Sequence, residues 1–345
     1  MNSRERVRCA IHGTAPDRIP LTHATLPGAI SRYGLALVDL YHRYPSDVVH
    51  VGDAASGEHG TQIGVPSQDA WGSLWVRYTD EHKGQVVSHP LADLDDLSAY
   101  VPPDTASDVI IREVTANLAT NANRRYTLAD GDTLWQRMFY LHGYQATLGD
   151  FIIQSERCAA LRDMILAVMV RRVERLCQLP QLDGIHFRDD WGTQRTLMIQ
   201  PELWRSFFKP AYAQLFGLVR DAGKHVWFHS DGAIESILPD LIEIGVQVIN
   251  PQVSLIGRER LVSLCNGRVC IQADIDRQWV LACGTIKDVR AAVRADIEAF
   301  RGWEGGYIGR GEIASDVPLK NAEAMLYEIT RYVHRPAHRP VPIGV

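Results

Sequence analysis

Two short apolar runs of this chain each end in a cluster of ionisable side chains. They are residues 182–190 and 225–231, and residues 201–222 between them carry apolar side chains at steps of three and four. This pattern predicts a strand, an amphipathic helix with a kink at Pro210, and a second strand. Because the strands of a βαβ unit run parallel, both polar clusters are expected at the carboxyl edge of one sheet, where α/β enzymes place their chemistry.

Strand-like and helical runs alternate in this way nearly from end to end. Strands are predicted at residues 18–23, 47–52, 125–130, 182–190, 225–231, 246–252, 269–276 and 306–312. Helices are clearest at 161–179, 201–222 and 285–300, and Thr285 with Asp288 resembles a capping pair for the last of them. Eight strands separated by helices predict the α/β class and a single (β/α)8, or TIM, barrel over residues 1–335.

One long segment, about residues 57–104, departs from this pattern. Residues 71–78 alternate like an exposed strand, residues 86–89 resemble its hairpin partner, and residues 90–103 form an acidic connection bounded by prolines. The segment therefore predicts a β-hairpin inserted between barrel strands two and three. Residues 336–345 are rich in proline and are predicted to form an irregular tail.

The composition narrows the class of protein and its partners. With 345 residues, 46% hydrophobic and 22% charged, the chain resembles an ordinary globular protein. A net charge of -5 without basic runs gives no reason to expect nucleic acid or a membrane as partner. No apolar stretch approaches the roughly 20 residues that span a bilayer, and the first residues are not signal-like, so a cytoplasmic location is expected. The 6 cysteines form no CxxC pair and are expected to be reduced.

His229 and Asp231 are the first candidates for chemistry. They lie two residues apart on a predicted strand, so their side chains share a face. Pointing inward at the top of a barrel, they could bind one metal ion or act as a pair of acid and base. A hydrogen-bonded pair that only closes the barrel mouth is the alternative.

Arg188, Asp189 and Asp190 form the second cluster, at the end of the fourth predicted strand. Arg188 is a candidate clamp for a substrate carboxylate, or else part of an ion pair that orders the following loop. The two aspartates are candidate catalytic carboxylates. Because adjacent strand residues face opposite ways, only one of them is expected to face the lumen unless the chain has already turned.

Five further residues complete a polar rim by their positions on the predicted strands. They are the candidate substrate-binding residues His23, Asp130, Gln252, Asp274 and Arg310. A rim with several carboxylates and few lysines suits a cationic, metal-bound or hydrogen-bond-rich small molecule. For His23, a role in capping or loop structure is favoured over a catalytic role, because most polar residues at the start of loops bond to the backbone.

Several ordered segments resemble a known protein family. They include residues 3–7 and 16–20, the segment Asp189-Asp-Trp-Gly-Thr-Gln-Arg195, the segment Trp227-Phe-His-Ser-Asp-Gly232, and residues 273–276 and 316–321. In this order they resemble the uroporphyrinogen decarboxylase superfamily, which also contains zinc-dependent methyltransferases acting between corrinoid proteins and thiols. The resemblance covers nearly the whole chain and implies a (β/α)8 barrel that forms a homodimer.

The resemblance does not extend to the signature of the haem-pathway enzymes. Those members carry Arg-Gln-Ala-Gly-Arg-Tyr after the first strand to hold substrate carboxylates, whereas residues 22–29 here read Thr-His-Ala-Thr-Leu-Pro-Gly-Ala. A porphyrinogen substrate is therefore not expected.

The methyltransferase branch binds zinc through a His-x-Cys pair on strand five and a further cysteine after strand eight. This chain has His229 and Asp231 at the first position, and residues 307–313 contain Glu312 but no cysteine. The resemblance thus implies a candidate metal site of His229, Asp231 and Glu312. One imidazole with carboxylates is a harder donor set that could hold Zn²⁺, Mn²⁺ or Fe²⁺.

These observations favour an enzyme acting on a small molecule by metal-assisted methyl transfer or demethylation, with a corrinoid protein as a possible partner. A cofactor-free decarboxylase, in which a rim aspartate stabilises a protonated intermediate, is the alternative within enzymes. A metal-free binding protein that has lost catalysis is the alternative outside them.

Overall fold

Eight parallel strands surround a central axis in the computed structural model, which describes residues 1–53, 62–79, 81, 84–121, 124–153, 155–300 and 306–332. Numbered in chain order, the barrel strands are β1 (Leu21–Thr25), β2 (Val48–Gly52), β6 (Tyr126–Asp130), β7 (Gly184–Arg188), β8 (His225–Ser230), β9 (Val248–Pro251), β10 (Cys270–Ala273) and β11 (Tyr307–Ile313). Their order in the sheet is β1-β11-β10-β9-β8-β7-β6-β2. The predicted TIM barrel is confirmed, and every predicted barrel strand overlaps an observed one.

Helices cover the outside of the sheet. They are α1 (Ser3–Ile11), α2 (Pro27–Tyr33), α3 (Leu35–Arg43), α4 (Asp108–Ala119), α5 (Trp135–His142), α6 (Tyr144–Ile153), α7 (Ser155–Cys177), α8 (Pro201–Phe207), α9 (Lys209–Asp221), α10 (Leu238–Glu243), α11 (Val253–Ile256), α12 (Arg258–Cys265), α13 (Val280–Cys283), α14 (Ile286–Phe300) and α15 (Leu319–Thr330). None of these described helices is long and apolar enough to cross a membrane.

Two local predictions about helices are confirmed by these bounds. The helix predicted at residues 201–222 is interrupted at Phe208, and Pro210 falls in the first turn of α9, where its missing N–H costs nothing. At the start of α14, the Thr285 hydroxyl donates to the Asp288 carboxylate at 2.7 Å, while the Asp288 N–H donates back to Thr285 at 3.3 Å.

The predicted insert between β2 and β6 contains one strand more than a hairpin. It forms an antiparallel sheet of β3 (Ser67–Gln68), β4 (Leu74–Val76) and β5 (Gln85–Ser88), followed by a 3-10 helix at Leu94–Ala99. Residues 57–61 and the predicted tail at 336–345 lie outside the described residues. The domain bounds at 57, 104 and 335 therefore stay predictions.

Side chains alternate across the barrel wall, as the period of a strand requires. Residues such as Ile185, Phe228 and Ile249 face outward and join the large core beneath the helices. At the amino-terminal end of the strands, residues of α1 close the barrel from below. They form an apolar floor together with inward side chains of the strands: Val7, Ala10, Ile11, Val48, Tyr126, Leu128, Trp227, Val248, Cys270 and Ile308.

Asp47 closes the seam between β1 and β2. Its fully buried carboxylate accepts hydrogen bonds from Arg6 at 2.6 Å, from Arg18 at 2.8 Å and from the Leu21 backbone N–H at 2.8 Å. Its own backbone N–H donates to the Leu21 carbonyl at 2.7 Å. One side chain therefore ties α1 and both edge strands together where the sheet closes.

We expect Asp47→Ala to lower the free energy of unfolding by about 3–5 kcal/mol, because it leaves the mostly buried Arg6 cation without this carboxylate. The measurement is denaturant unfolding followed by circular dichroism. Asp108→Ala is the matched control, since Asp108 pairs with Arg175 at 2.8 Å on the surface. Asp108→Ala should lower the free energy of unfolding much less. Equal losses in the two variants would show that the seam does not depend on Asp47.

Candidate active site at the barrel mouth

Three potential metal ligands meet where β7 and β8 end. The His229 Nε2 atom lies 3.8 Å from Asp190 Oδ1 and 3.9 Å from Asp231 Oδ1. One ligand atom from each of the three residues lies within 4.8 Å of the others, and all three side chains are half-buried. These separations exceed a hydrogen bond, so the His229 Nε2 atom faces both carboxylates without bonding to either of them.

The orientation of His229 is set from the next strand, β9. The Nδ1 atom of His229 lies 2.7 Å from the side-chain oxygen of Asn250. The amide of Asn250 is itself fixed, because its nitrogen donates to the Gln272 carbonyl at 2.8 Å. Nδ1 is therefore the donor in this contact, and the lone pair of a neutral His229 lies on Nε2, which faces the two carboxylates.

The loops that follow β7 and β8 bring the two carboxylates together. Gly192 and Gly232 are in direct backbone contact, and a Cβ on either would overlap the other loop. Gly232 also adopts a φ of +83°, which favours glycine. Across the same contact the Asp231 N–H donates to the Asp190 carboxylate at 2.9 Å. The local sequence thus places Asp190 beside His229 although it comes from another strand.

Glu312 of β11 is bound by two arginines, one of which also contacts Asp231. Arg310 contacts it at 2.8 Å, and Arg277 forms a close ion pair with it while also contacting Asp231 at 2.8 Å. Although burial opposes the effect, these guanidinium groups hold the pKa of Glu312 below its ordinary value. The cluster of potential ligands thus contains Asp190, which was not predicted as a ligand, beside His229 and Asp231. The predicted role of Glu312 as a ligand stays a prediction.

Asp189 and Asp190 face opposite ways. The fully buried Asp189 carboxylate accepts hydrogen bonds from the backbone N–H groups of Leu134 at 2.7 Å and Gln136 at 2.9 Å, and from the Tyr212 hydroxyl at 2.6 Å. Burial raises the pKa of Asp189 to about 7. These contacts are those of a structural carboxylate behind the barrel wall, and Asp190 is the member of the pair that lines the mouth.

Two other predicted rim residues pair with each other across neighbouring strands. Arg188 of β7 forms an ion pair with Asp130 at the end of β6. Asp130 also accepts the backbone N–H of Asp132 at 2.9 Å. Arg188 is therefore part of an ion pair, which was one of the two predicted roles. Its partner is Asp130 of the neighbouring strand β6. Its role as a clamp for substrate stays a prediction.

The remaining predicted substrate residues occupy different positions. Asp274 is bound by Arg310 at 2.6 Å, and Gln252 accepts the Gly232 N–H at 2.8 Å, which steadies the loop after β8. The imidazole of His23 stacks on Tyr41 of α3 with ring centroids 4.0 Å apart, so it lies behind the wall. Burial lowers the pKa of His23 to about 4.

A layer of two histidines, which was not predicted from the sequence, lies beneath the mouth. The rings of His50 on β2 and His186 on β7 are 5.8 Å apart, and both interact electrostatically with Arg310 from the far side of the lumen. Burial lowers the pKa of both, well below the ordinary value for His186. The spacing of the residues could have predicted His186 in the lumen, because His186 lies two residues before Arg188 on the same strand and therefore shares its face.

The sequence matches the profile of one protein family over most of its length. The sequence profile described as "Uroporphyrinogen decarboxylase (URO-D)" matches residues 73–332. The chain belongs to the uroporphyrinogen decarboxylase family. The resemblance found in the sequence is thereby confirmed. A search of curated proteins found no match to this chain.

Solved structures agree with the barrel. A methyltransferase from Methanosarcina mazei aligns with a TM-score of 0.72 and 14% identity over 95% of this chain and 98% of that one. GH5_18 from Streptomyces cattleya, solved in complex with GlcNAc, aligns with a TM-score of 0.50 and 11% identity over 91% of this chain and 80% of that one. At such identities the likeness shows the fold alone.

The histidine layer predicts a loss of stability in acid. Because burial lowers the pKa of His186 below the ordinary 6.5, the unfolded chain takes up a proton first as the pH falls. Wild-type stability should therefore fall between pH 7 and pH 5. Over this interval we expect the free energy of unfolding of His186→Gln to fall by roughly 1–2 kcal/mol less than that of the wild type. Urea unfolding at each pH measures it. His42→Gln, at an exposed position of α3, should keep the wild-type slope. A wild-type slope in His186→Gln would contradict this account.

Proposed function

We propose that the chain is a metal-dependent enzyme that transfers or removes a methyl group of a small molecule. The observation that carries the proposal is His229, whose Nε2 faces two carboxylate oxygens at 3.8 and 3.9 Å while Asn250 holds the other ring nitrogen. Metal-binding histidines are ordinarily held in this way by a neighbouring acceptor. Family membership and the fold shared with a methyltransferase from Methanosarcina mazei support the class of reaction.

The donor set fits a divalent ion. Ligands about 2.1 Å from a tetrahedral ion are about 3.4 Å apart, so the observed separations need only a small inward movement. Asp190 and Asp231 supply negative charge, and among the described contacts Asp190 receives only neutral donors, from Gln136 and the Asp231 backbone. A site of one imidazole and two carboxylates accepts Zn²⁺, Mn²⁺ or Fe²⁺.

The chain's own residues would divide the work around such an ion. A bound divalent ion supplies Lewis acidity toward the atom that carries or accepts the methyl group. Arg277 orients Asp231, and Arg310 orients Asp274 and Glu312, which fixes the wall of the mouth. His50 and His186, whose pKa values are lowered by desolvation, would offer hydrogen bonds to a substrate that reaches below the rim. A corrinoid protein as methyl carrier and a homodimeric state belong to the same proposal.

Cofactor-free decarboxylation is the second candidate, and the contact between Arg277 and Asp231 favours it. Burial alone would raise the pKa of Asp231, yet His229 and Arg277 lower it, so the carboxylate stays ionised beside the substrate. An ionised carboxylate in a partly dry site stabilises a protonated intermediate. Turnover of a carboxylated substrate that persists after complete removal of metal would favour this candidate over methyl transfer.

We expect the wild-type protein, loaded with Zn²⁺, Mn²⁺ or Fe²⁺, to hold about one ion per chain by elemental analysis. His229→Ala and Asp190→Asn should each lose most of that ion, because they remove ligands while leaving the core intact. Glu312→Gln is the matched control, since two arginines already occupy that carboxylate. It should retain the ion.

Three results would count against this site. Unchanged metal content in His229→Ala would show that the histidine and its aspartates are structural. Loss of the ion in Glu312→Gln with retention in Asp190→Asn would assign the third ligand to Glu312 instead. A wild-type protein that takes up none of the three ions would end the metal proposal.

We expect Asn250→Ala to weaken binding of the ion by about 10–100-fold, because it frees the His229 ring to turn or to change tautomer. Competition against a chelator measures the dissociation constant. Asn321→Ala is the control, because it removes another buried amide, which donates to the Leu281 and Gly284 carbonyls away from the mouth. Equal affinities in wild type and Asn250→Ala would show that Asn250 does not orient the ligand.

A further inference from the structure

A second polar cavity lies at the opposite, amino-terminal end of the barrel. Its volume is about 530 Å³, and it opens between α1, the end of α4 and the segment that leads into β7. Its charged and amide side chains include those of Arg4, Arg8, Asn121, Arg124, Arg125 and Asp183. Four arginines thus converge on one cavity in a chain whose net charge is -5.

Two of these arginines have a structural task. Arg4 contacts the buried Asp183 carboxylate at 2.7 Å, and Arg8 approaches the same carboxylate at 3.5 Å. Asp183 in turn accepts the backbone N–H of Thr127 at 3.2 Å. These contacts fasten α1 beneath the barrel, and they use the one aspartate of the cavity wall.

Arg124 and Arg125 have no such partner. Among the described residues neither guanidinium group donates a hydrogen bond or joins an ion pair, and the Nε atom of Arg125 is buried without a partner. The backbone of Arg125 is nevertheless fixed, because its N–H and carbonyl bond to the Asn121 side chain at 3.1 and 2.7 Å. Buried donors are ordinarily satisfied, so the buried and unpartnered Nε atom of a residue that lines a cavity indicates a missing acceptor.

The backbone of Arg124 is also unusual. It has a φ of 49°, which is uncommon for a residue with a side chain, and its carbonyl accepts the Arg4 N–H at 3.0 Å. The turn that holds α1 therefore also places two arginines in succession at the cavity. Neither pairs with Glu5, whose carboxylate accepts the Asn2 N–H at 2.9 Å in the cap of α1.

We propose that this cavity binds a small molecule bearing a phosphate or carboxylate group, with the anionic oxygens between Arg8, Arg124 and Arg125. Guanidinium groups match the geometry of both oxyanions. The volume is that of a small-molecule site. Arg125 precedes Asp130 by five residues of extended strand, roughly 16 Å, so this site is separate from the catalytic mouth.

The test uses inorganic phosphate and citrate as probes, titrated into the full chain at constant ionic strength and followed by calorimetry and by the midpoint of thermal unfolding. Constant ionic strength removes general screening. We expect saturable binding to the wild type. The dissociation constant should be at least tenfold larger in Arg125→Gln and in Arg124→Gln. Tighter binding of phosphate than of citrate would assign a phosphate ligand, and the reverse order a carboxylate.

The control is Arg175→Gln, which removes the same charge from the surface of α7, where Arg175 pairs with Asp108. It should bind the probes as the wild type does. Absence of saturable binding to the wild type would overturn the proposal, as would equal weakening in Arg175→Gln and Arg125→Gln. If Arg125→Gln does not fold, Arg124→Gln decides the question, because Arg124 is exposed.

Discussion

The mouth of this barrel depends on a balance of charge. Parallel strands bring their carboxyl ends to one rim, and here the described residues place five carboxylates and three guanidinium groups within it: Asp130, Asp190, Asp231, Asp274 and Glu312 with Arg188, Arg277 and Arg310. Four of these carboxylates contact an arginine. Asp190 contacts none of these arginines. It lies near the Nε2 atom of His229, which also faces Asp231, and Asp231 is neutralised only in part by Arg277. The negative charge that remains is therefore concentrated where the three potential ligands converge.

Much of the fold follows from local pattern. Period-two runs and helical runs located the eight strands, and the position of Pro210 located the break between α8 and α9. The same reasoning recovered His229 and Asp231 as a pair on one face. It also anticipated that only one of Asp189 and Asp190 faces the lumen, because neighbouring strand residues alternate.

What the sequence did not yield depends on distant parts of the chain. Asn250 holds His229 from the next strand, and its role follows only once the register of β8 and β9 is known. Arg277 lies beyond β10 and binds Glu312 of β11, so no local pattern reveals that Glu312 is already neutralised. His50 and His186 are 136 positions apart in the numbering, and their proximity arises because β2 and β7 both pair with β6.

Under the proposed function, carboxylates would stand where the methyltransferases that the sequence resembles have sulfur, and this difference would change the chemistry of a bound ion. A cysteine-rich zinc site binds soft ligands and favours a thiolate nucleophile, whereas a site of imidazole and carboxylates is harder and leaves more positive character on an ion. Arg277 strengthens this tendency, because it draws charge from Asp231 through the contact at 2.8 Å. A more electrophilic centre suits polarisation of an oxygen or nitrogen atom in the substrate better than storage of a thiolate. Within the methyl-transfer proposal, the donor set thus favours a substrate whose methyl group is bonded to oxygen or nitrogen.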